Sequence, residues 1–208
     1  MQYSNLSIWT LCLLLCLSAC KYKETKNAMK QGEALKSSIE DFEKNRKKLS
    51  AQLIAGLEEA QQDLTAEDPD LPSISRDFEK EWTSIQRRYE KLKSDFDRVG
   101  TSSQNYFTKL DELSNNISKE SLRNEELAKN RELQQRWQKN YNEAEVSIGK
   151  VTEVLEAGND FHMVLVASSI RQKLEQNVEE LSVIATQAKT LLSDLQSFTE
   201  AGRELVEG

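Results

Sequence analysis

Between Phe78 and Ile117 the chain reads FEKEWTSIQRRYEKLKSDFDRVGTSSQNYFTKLDELSNNI. Within it Phe78, Trp82, Ile85, Tyr89, Leu92, Phe96, Val99, Ser103, Tyr106, Leu110, Leu113 and Ile117 recur at alternating steps of four and three. That spacing is one stripe of an α-helix packed by knobs into holes. Only Ser103 in the stripe is polar. The stripe passes Gly100 without a slip, so the helix is read as continuous there, although a glycine costs about 1 kcal/mol relative to alanine. About 43 residues at ~1.5 Å each make a rod near 65 Å long. Trp82, Phe96 and Tyr106 need volume around them, which a multi-helix core supplies better than a two-stranded zipper.

Working outward, the two prolines fall together in Glu67-Asp68-Pro69-Asp70-Leu71-Pro72 and mark the clearest break. Before them Leu35, Ile39, Phe42, Leu49, Leu53, Leu57, Ala60 and Leu64 form a second stripe, interrupted by Arg46. After the quoted segment, Asn115-Asn116-Ile117-Ser118 gathers turn and cap formers. A third helix then starts weakly, with Leu122, Leu127 and Leu133 scattered among polar residues, before Trp137, Tyr141, Ala144, Ile148, Val151 and Leu155 restore a stripe. Gly158-Asn159-Asp160 offers a stop followed by an N-cap, after which a fourth helix carries Leu174, Val178, Leu181, Ala185, Ala188, Leu192 and Leu195. Ile184, Leu191, Phe198 and Leu205 widen its apolar face. The alternative is that the third helix continues through Phe161 to Ala167 and turns near Ser168-Ser169. The expectation is an all-α fold, one elongated antiparallel bundle of about four long helices with coiled-coil-like packing. Its helices should cover about 24–66, 74–117, 119–157 and 160–206 within a single domain, 31–208.

The apolar run Ile8 to Ala19 is too short to span a bilayer, which takes about 20 residues, and it ends in small residues as a processing site does. Leu17-Ser18-Ala19-Cys20 resembles the lipobox of bacterial lipoproteins. The resemblance implies that residues 1–19 are a signal peptide, that Cys20 is acylated as a membrane anchor, and that it has no catalytic part. Residues 1–10 carry no Lys or Arg, a departure from the usual positive start of such signals. Cys12 and Cys16 would leave with the signal and Cys20 would be consumed by lipid, so no thiol remains for a disulfide, a metal or a nucleophile.

All 28 basic and 35 acidic side chains follow Cys20, giving a net charge of −7. That balance argues against a nucleic-acid partner, which needs a clustered basic face. Lys21, Lys23, Lys26 and Lys30 form a local exception in the stem 20–30, where each is able to add about 1 kcal/mol of attraction to an anionic surface. A plain soluble spacer is the other reading of the same lysines. If the cell is Gram-negative, Lys21 after the anchor implies, by the lipoprotein sorting rule, the outer membrane facing the periplasm.

Ser121-Leu122-Arg123, Tyr141, Ala144-Glu145, and Phe161 through Ile170 followed by Leu174 resemble a bacterial family of helical, coiled-coil proteins, a domain of unknown function whose members are often lipid-anchored. The likeness covers roughly Tyr106 to Leu205. It implies an envelope-associated helical protein, and where the family carries a polar turn this chain has Met163 to Ala167.

Chemistry-bearing residues are few. His162 is the single histidine, and a Glu-x-x-His pair would need an acid where Asn159 stands. Glu58-Glu59, Glu125-Glu126 and Glu179-Glu180 fall on helix faces and read as solvated charge, and no phosphate-binding glycine loop occurs. Trp82, Tyr89, Tyr106, Trp137 and Tyr141 read as core, or as the lining of a groove left open by the polar stretch Asn124 to Gln135. No catalytic residue, metal or cofactor is expected. The leading expectation is a lipid-anchored, non-enzymatic envelope protein acting as spacer or adaptor, with an envelope protein as partner or with self-association. The rival is a carrier of a lipid or other apolar ligand within the bundle.

Overall fold

The computed structural model describes the backbone of residues 5–171 and 178–207 and the side chains of 26–171 and 179–207. It contains α1 (Asn5–Leu64), α2 (Leu71–Asn115), α3 (Glu120–Arg171) and α4 (Val178–Glu207), with no strand among the described residues. Each helix brings its backbone close to two others, α1 and α3 both lying against α2 and α4, so the four form a square whose diagonals are crossed by side chains such as Phe96 and Phe198. Neighbours run antiparallel. On the α1–α2 side Gln52 meets Ser84 and Asn45 meets Asp95, and on the α2–α3 side Trp82 meets Leu155 and Tyr89 meets Ile148.

Stripe and burial agree over most of the length. All eight apolar positions read in α1 are buried, as are the α2 positions from Phe78 through Ser103 and the α3 positions from Trp137 to Leu155 apart from half-buried Tyr141. In α4 the side chains Leu181, Ile184, Ala188, Leu191, Leu192, Leu195 and Phe198 are buried, while Ala185 and Leu205 are half-buried. Leu174, and the side chain of Val178, lie outside the described residues. Asp70 caps α2 by accepting the Ser73 N–H at 3.1 Å, with Pro72 in the first turn, so α2 starts a few residues before the expected position 74.

Gly158-Asn159-Asp160 does not end the third helix. α3 runs through it to Arg171, and α4 begins only at Val178, against the expected helices 119–157 and 160–206. The reason is packing. A β-carbon on Gly158 would lie 1.8 Å from the Trp82 ring, and the indole Nε1–H donates to the Leu155 carbonyl at 3.1 Å beside that notch. The glycine is there to admit an aromatic ring from α2. The same contact runs in reverse at Gly100 of α2, where a β-carbon would lie 2.5 Å from the hydroxyl oxygen of Tyr141 of α3. Gly202 of α4 similarly accommodates Ile39 and Trp137. α1 likewise does not start near residue 24, since its backbone is helical from Asn5 without a break.

The described part of α4 reaches Glu207 at the level of Lys36 of α1. Lys36 Nζ reaches Glu207 at 2.9 Å, and one turn farther out Gly32 faces the Tyr106 ring. Burial changes at that level. The stripe positions Tyr106, Leu110, Leu113 and Ile117 are only half-buried, Phe107 and Ser114 take the buried places, and α3 buries nothing before Trp137. Among the described residues, α1, α2 and the polar stretch Asn124 to Gln135 of α3 are the helical segments at this level.

Two buried polar layers cross the core. Arg46, the interruption in the α1 stripe, stays inside: its Nε and Nη2 donate to Glu43 at 2.6 and 2.9 Å and its Nη1 to the Leu192 carbonyl at 2.9 Å. Thr199 donates to the same Glu43 carboxylate at 3.1 Å. On the other side of α1, Asn45 donates to buried Asp95, which also accepts from Arg98 at 2.7 Å. Burial alone would raise the Glu43 carboxyl, but the hydrogen bonds and charge of Arg46, with Lys47 and Thr199, outweigh it and hold the group below its ordinary value.

Gly158→Ala is expected to destabilise the bundle by about 1–3 kcal/mol despite the better helix former, because the methyl collides with Trp82. Gly149→Ala, with nothing within 4 Å of the added carbon, should instead stabilise by about 0.5–1 kcal/mol. Denaturant midpoints of the two variants check this pair, and equal shifts would refute the notch. Arg46→Met alone should cost about 3–5 kcal/mol by stranding the Glu43 charge, whereas Glu43→Leu with Arg46→Met should lie near wild type or above it. Because the folded Glu43 value is depressed, its contribution is complete above the unfolded value near 4.3 and fades as pH falls through the lower folded one. Acid unfolding curves of the double variant should lack that component.

Candidate functional site

The anchor segment is helical in backbone. Leu17, Ser18, Ala19, Cys20, Lys21 and Lys23 all lie within α1, and their side chains are outside the described ones. Among the described residues no helix is long and apolar enough to cross a membrane. Lys26 and Lys30 are exposed, one turn apart, with Met29 between them at 66 % exposure. Since α1 has no break from Asn5 to Leu64, Cys20 joins the bundle through helix and not through a loop.

The antiparallel register places a second element at that level. Counting outward from the Gly32–Tyr106 contact, Ile117 and Ser118 come level with Lys21 and Cys20. By this count the turn between α2 and α3 falls at about the axial level of residue 20. Arg123 Nη1 closes this turn by donating to the Ile117 carbonyl at 3.3 Å. Lys119 and Leu122 beside it are exposed.

The aromatic set divides. Trp82, Tyr89 and Trp137 are core, and Tyr89 gives its hydroxyl hydrogen bond to the Ile148 carbonyl at 2.7 Å. Tyr106 and Tyr141 are half-buried, while Phe107 is buried, so the groove expected along the polar start of α3 is only partly open. A furrow of about 440 Å³ between α2 and α3 is lined by Asp97, Thr101, Gln104, Gln134 and Tyr141 among others. Burial raises the Tyr141 phenol, with the Asp97 and Glu145 charges adding to it, and burial alone raises Tyr106. Both rings therefore stay neutral near neutral pH.

Surface acids behave as solvated charge. Glu58, Glu59, Glu125, Glu179 and Glu180 are exposed, and Lys129 holds the Glu125 carboxyl below its ordinary value. His162 is half-buried with its ring 6.3 Å from that of Phe78. No cluster of three metal-ligating side chains occurs among the described residues. The perturbed buried acid, Glu43, is one that the sequence pattern does not single out, because Thr199 and the Leu192 carbonyl come from the far end of the chain. Apart from the exposed Lys47, whose Nζ lies 3.3 Å away, its partners are internal to the core, which is the behaviour of a structural ion pair. Grooves are furrows between adjacent helices, such as that of about 240 Å³ lined by Asn140, Glu143, Ala144, Asp194 and Phe198. Exposed cations with an exposed apolar neighbour occur at Lys26, Met29 and Lys30 of α1 and at Lys119 and Leu122 around the start of α3.

Compared with models of known protein families, with curated proteins and with solved structures, the chain matches none, so its reading stands on its own residues.

Proposed function

We propose that the protein is a lipid-anchored, non-enzymatic component of a bacterial cell envelope, a spacer or adaptor whose helical rod stands on the acylated Cys20. The observation that carries this reading is the unbroken α1, which leads from Leu17-Ser18-Ala19-Cys20 directly into the bundle. An anchor attached through continuous helix transmits position and orientation to the rod, which a loop does not. Buried apolar side chains and paired buried charges fill the rod along its length, and that construction favours rigidity over ligand storage. At ~1.5 Å per residue, α2 alone extends about 65 Å. Such a span suits the bridging of a surface and a partner protein.

Expression in a bacterium with labelled fatty acid tests the anchor. The wild-type chain should carry label and lose residues 1–19, while Cys20→Ser should carry no label and keep them. Wild-type protein without label overturns the reading. For the adaptor role, crosslinking of intact cells should capture a stoichiometric protein with wild type and lose it with Cys20→Ser, and capture of lipid alone would move the carrier ahead.

A further inference from the structure

Six large apolar side chains stand exposed among the described residues, and only two of them, Met163 at 64 % and Ile170 at 78 %, lie seven residues apart on one helix. The core rows of α3 run through Val151, Gly158 and Leu165 and through Val154, Phe161 and Ser168. At about 100° per residue, Met163 and Ile170 fall on the far side of the helix from both rows. Half-buried Val166 and Ala167 close the gap between them, so the four make a two-turn apolar stripe that faces away from the bundle axis. Before the stripe the same face is acidic. Glu156 lies seven residues ahead of Met163 and Asp160 one turn ahead of it, both exposed and neither in an ion pair among the described residues. Directly after the stripe comes exposed Arg171.

The order of charges along this face decides what covers it. A basic partner suits Glu156 and Asp160 and is repelled by Arg171, and an anionic lipid surface meets the reverse. A second copy running the same way sets acid on acid. A second copy running the opposite way satisfies both ends. With Met163 of one copy on Ile170 of the other, the two-fold axis passes between Val166 and Ala167, and Asp160 comes within one turn of Arg171 of the second copy, twice per dimer. Arg171 already has an interaction within its own chain, and its five N–H donors allow it a further carboxylate. We propose that this outer face of α3 is the contact surface of an antiparallel dimer of the chain. Four side chains from each copy make an interface at the small, reversible end of the range, below about 1,200 Å². The consequence of the direction is length. At ~1.5 Å per residue the centre of the stripe lies about 70 Å from Glu120, so in the dimer the two ends at the level of residue 20 stand about 140 Å apart and point opposite ways. The dimer stands on α3 alone, whereas its use as a bridge between two surfaces rests on the reading of Cys20 as an anchor.

The test is sedimentation equilibrium of the full chain, expressed in a bacterium and purified in detergent, with the bound detergent measured and the mass of the Cys20 peptide read separately. The expected result is a reversible equilibrium of monomer and dimer. Met163→Ser plus Ile170→Ser should weaken it at least about 100-fold at unchanged helix content, since both side chains lie outside the core. Asp160→Arg and Arg171→Asp should each weaken it about tenfold, and the two together in one chain should restore it to within about threefold. Within one chain the two positions are about 16 Å apart along α3, so a repair inside the monomer cannot imitate that restoration. A monomer at every concentration overturns the dimer. A dimer that needs the stripe but is not restored by the exchanged charges overturns the antiparallel direction. Detergent binding that follows the stripe without any dimer assigns the face to lipid and overturns the proposal as well. An unacylated Cys20 peptide removes the anchor reading, and with it the bridge, while the sedimentation result still decides the dimer.

Discussion

Phe198 touches an aromatic ring from each of the other three helices, and the rest of the bundle is arranged around that contact. Its ring centroid lies 5.6 Å from Phe42 of α1, 5.5 Å from Phe96 of α2 and 5.2 Å from Trp137 of α3. Rings of this size meet at those distances only if the backbones come close nearby, which the glycines provide. Gly100 lies one turn from Phe96 and Gly202 one turn from Phe198, and each receives a ring or branch from a neighbouring helix. The Glu43–Arg46–Thr199 layer adjoins the same point, since Thr199 follows Phe198 and Glu43 follows Phe42. One level of the rod thus fixes azimuth by aromatic shape and axial position by paired charge. A slip of any helix by one turn would break both at once.

What the sequence revealed about this arrangement follows from the range of each interaction. The stripes in α1, α2 and α4 are local patterns, because burial of one helix face needs only spacing along that helix. Gly158 was not legible in the same way. A glycine flanked by Asn and Asp is a stop if nothing packs there and a notch if a ring does, and the ring of Trp82 lies far away in the chain. Assigning it to a turn places residues 160–171 in the fourth helix instead of the third. The weak start of the third helix was legible, as the polar run Asn124 to Gln135 opposite a rich α2 stripe. Arg46 showed as an interruption, but its role depends on Leu192 and Thr199 and cannot be read from its neighbours.

The division between core and end also bears on chemistry. Buried ionisable groups are paired, Glu43 with Arg46 and Asp95 with Asn45 and Arg98. Lys109 and Lys129 are tied to glutamates as well, whereas no ion pair of Lys26 or Lys30 occurs among the described residues. The lysines Lys26 and Lys30 were recognisable as a cluster from sequence. Where the turn after α2 falls relative to α1 was not, because it depends on the register between the two helices.

A helix that shears along its neighbour must first lift each ring out of the glycine notch that holds it. Trp82 of α2 sits at Gly158 of α3, and Tyr141 of α3 sits at Gly100 of α2, so the two helices are interlocked from both sides and part sideways more readily than they slide.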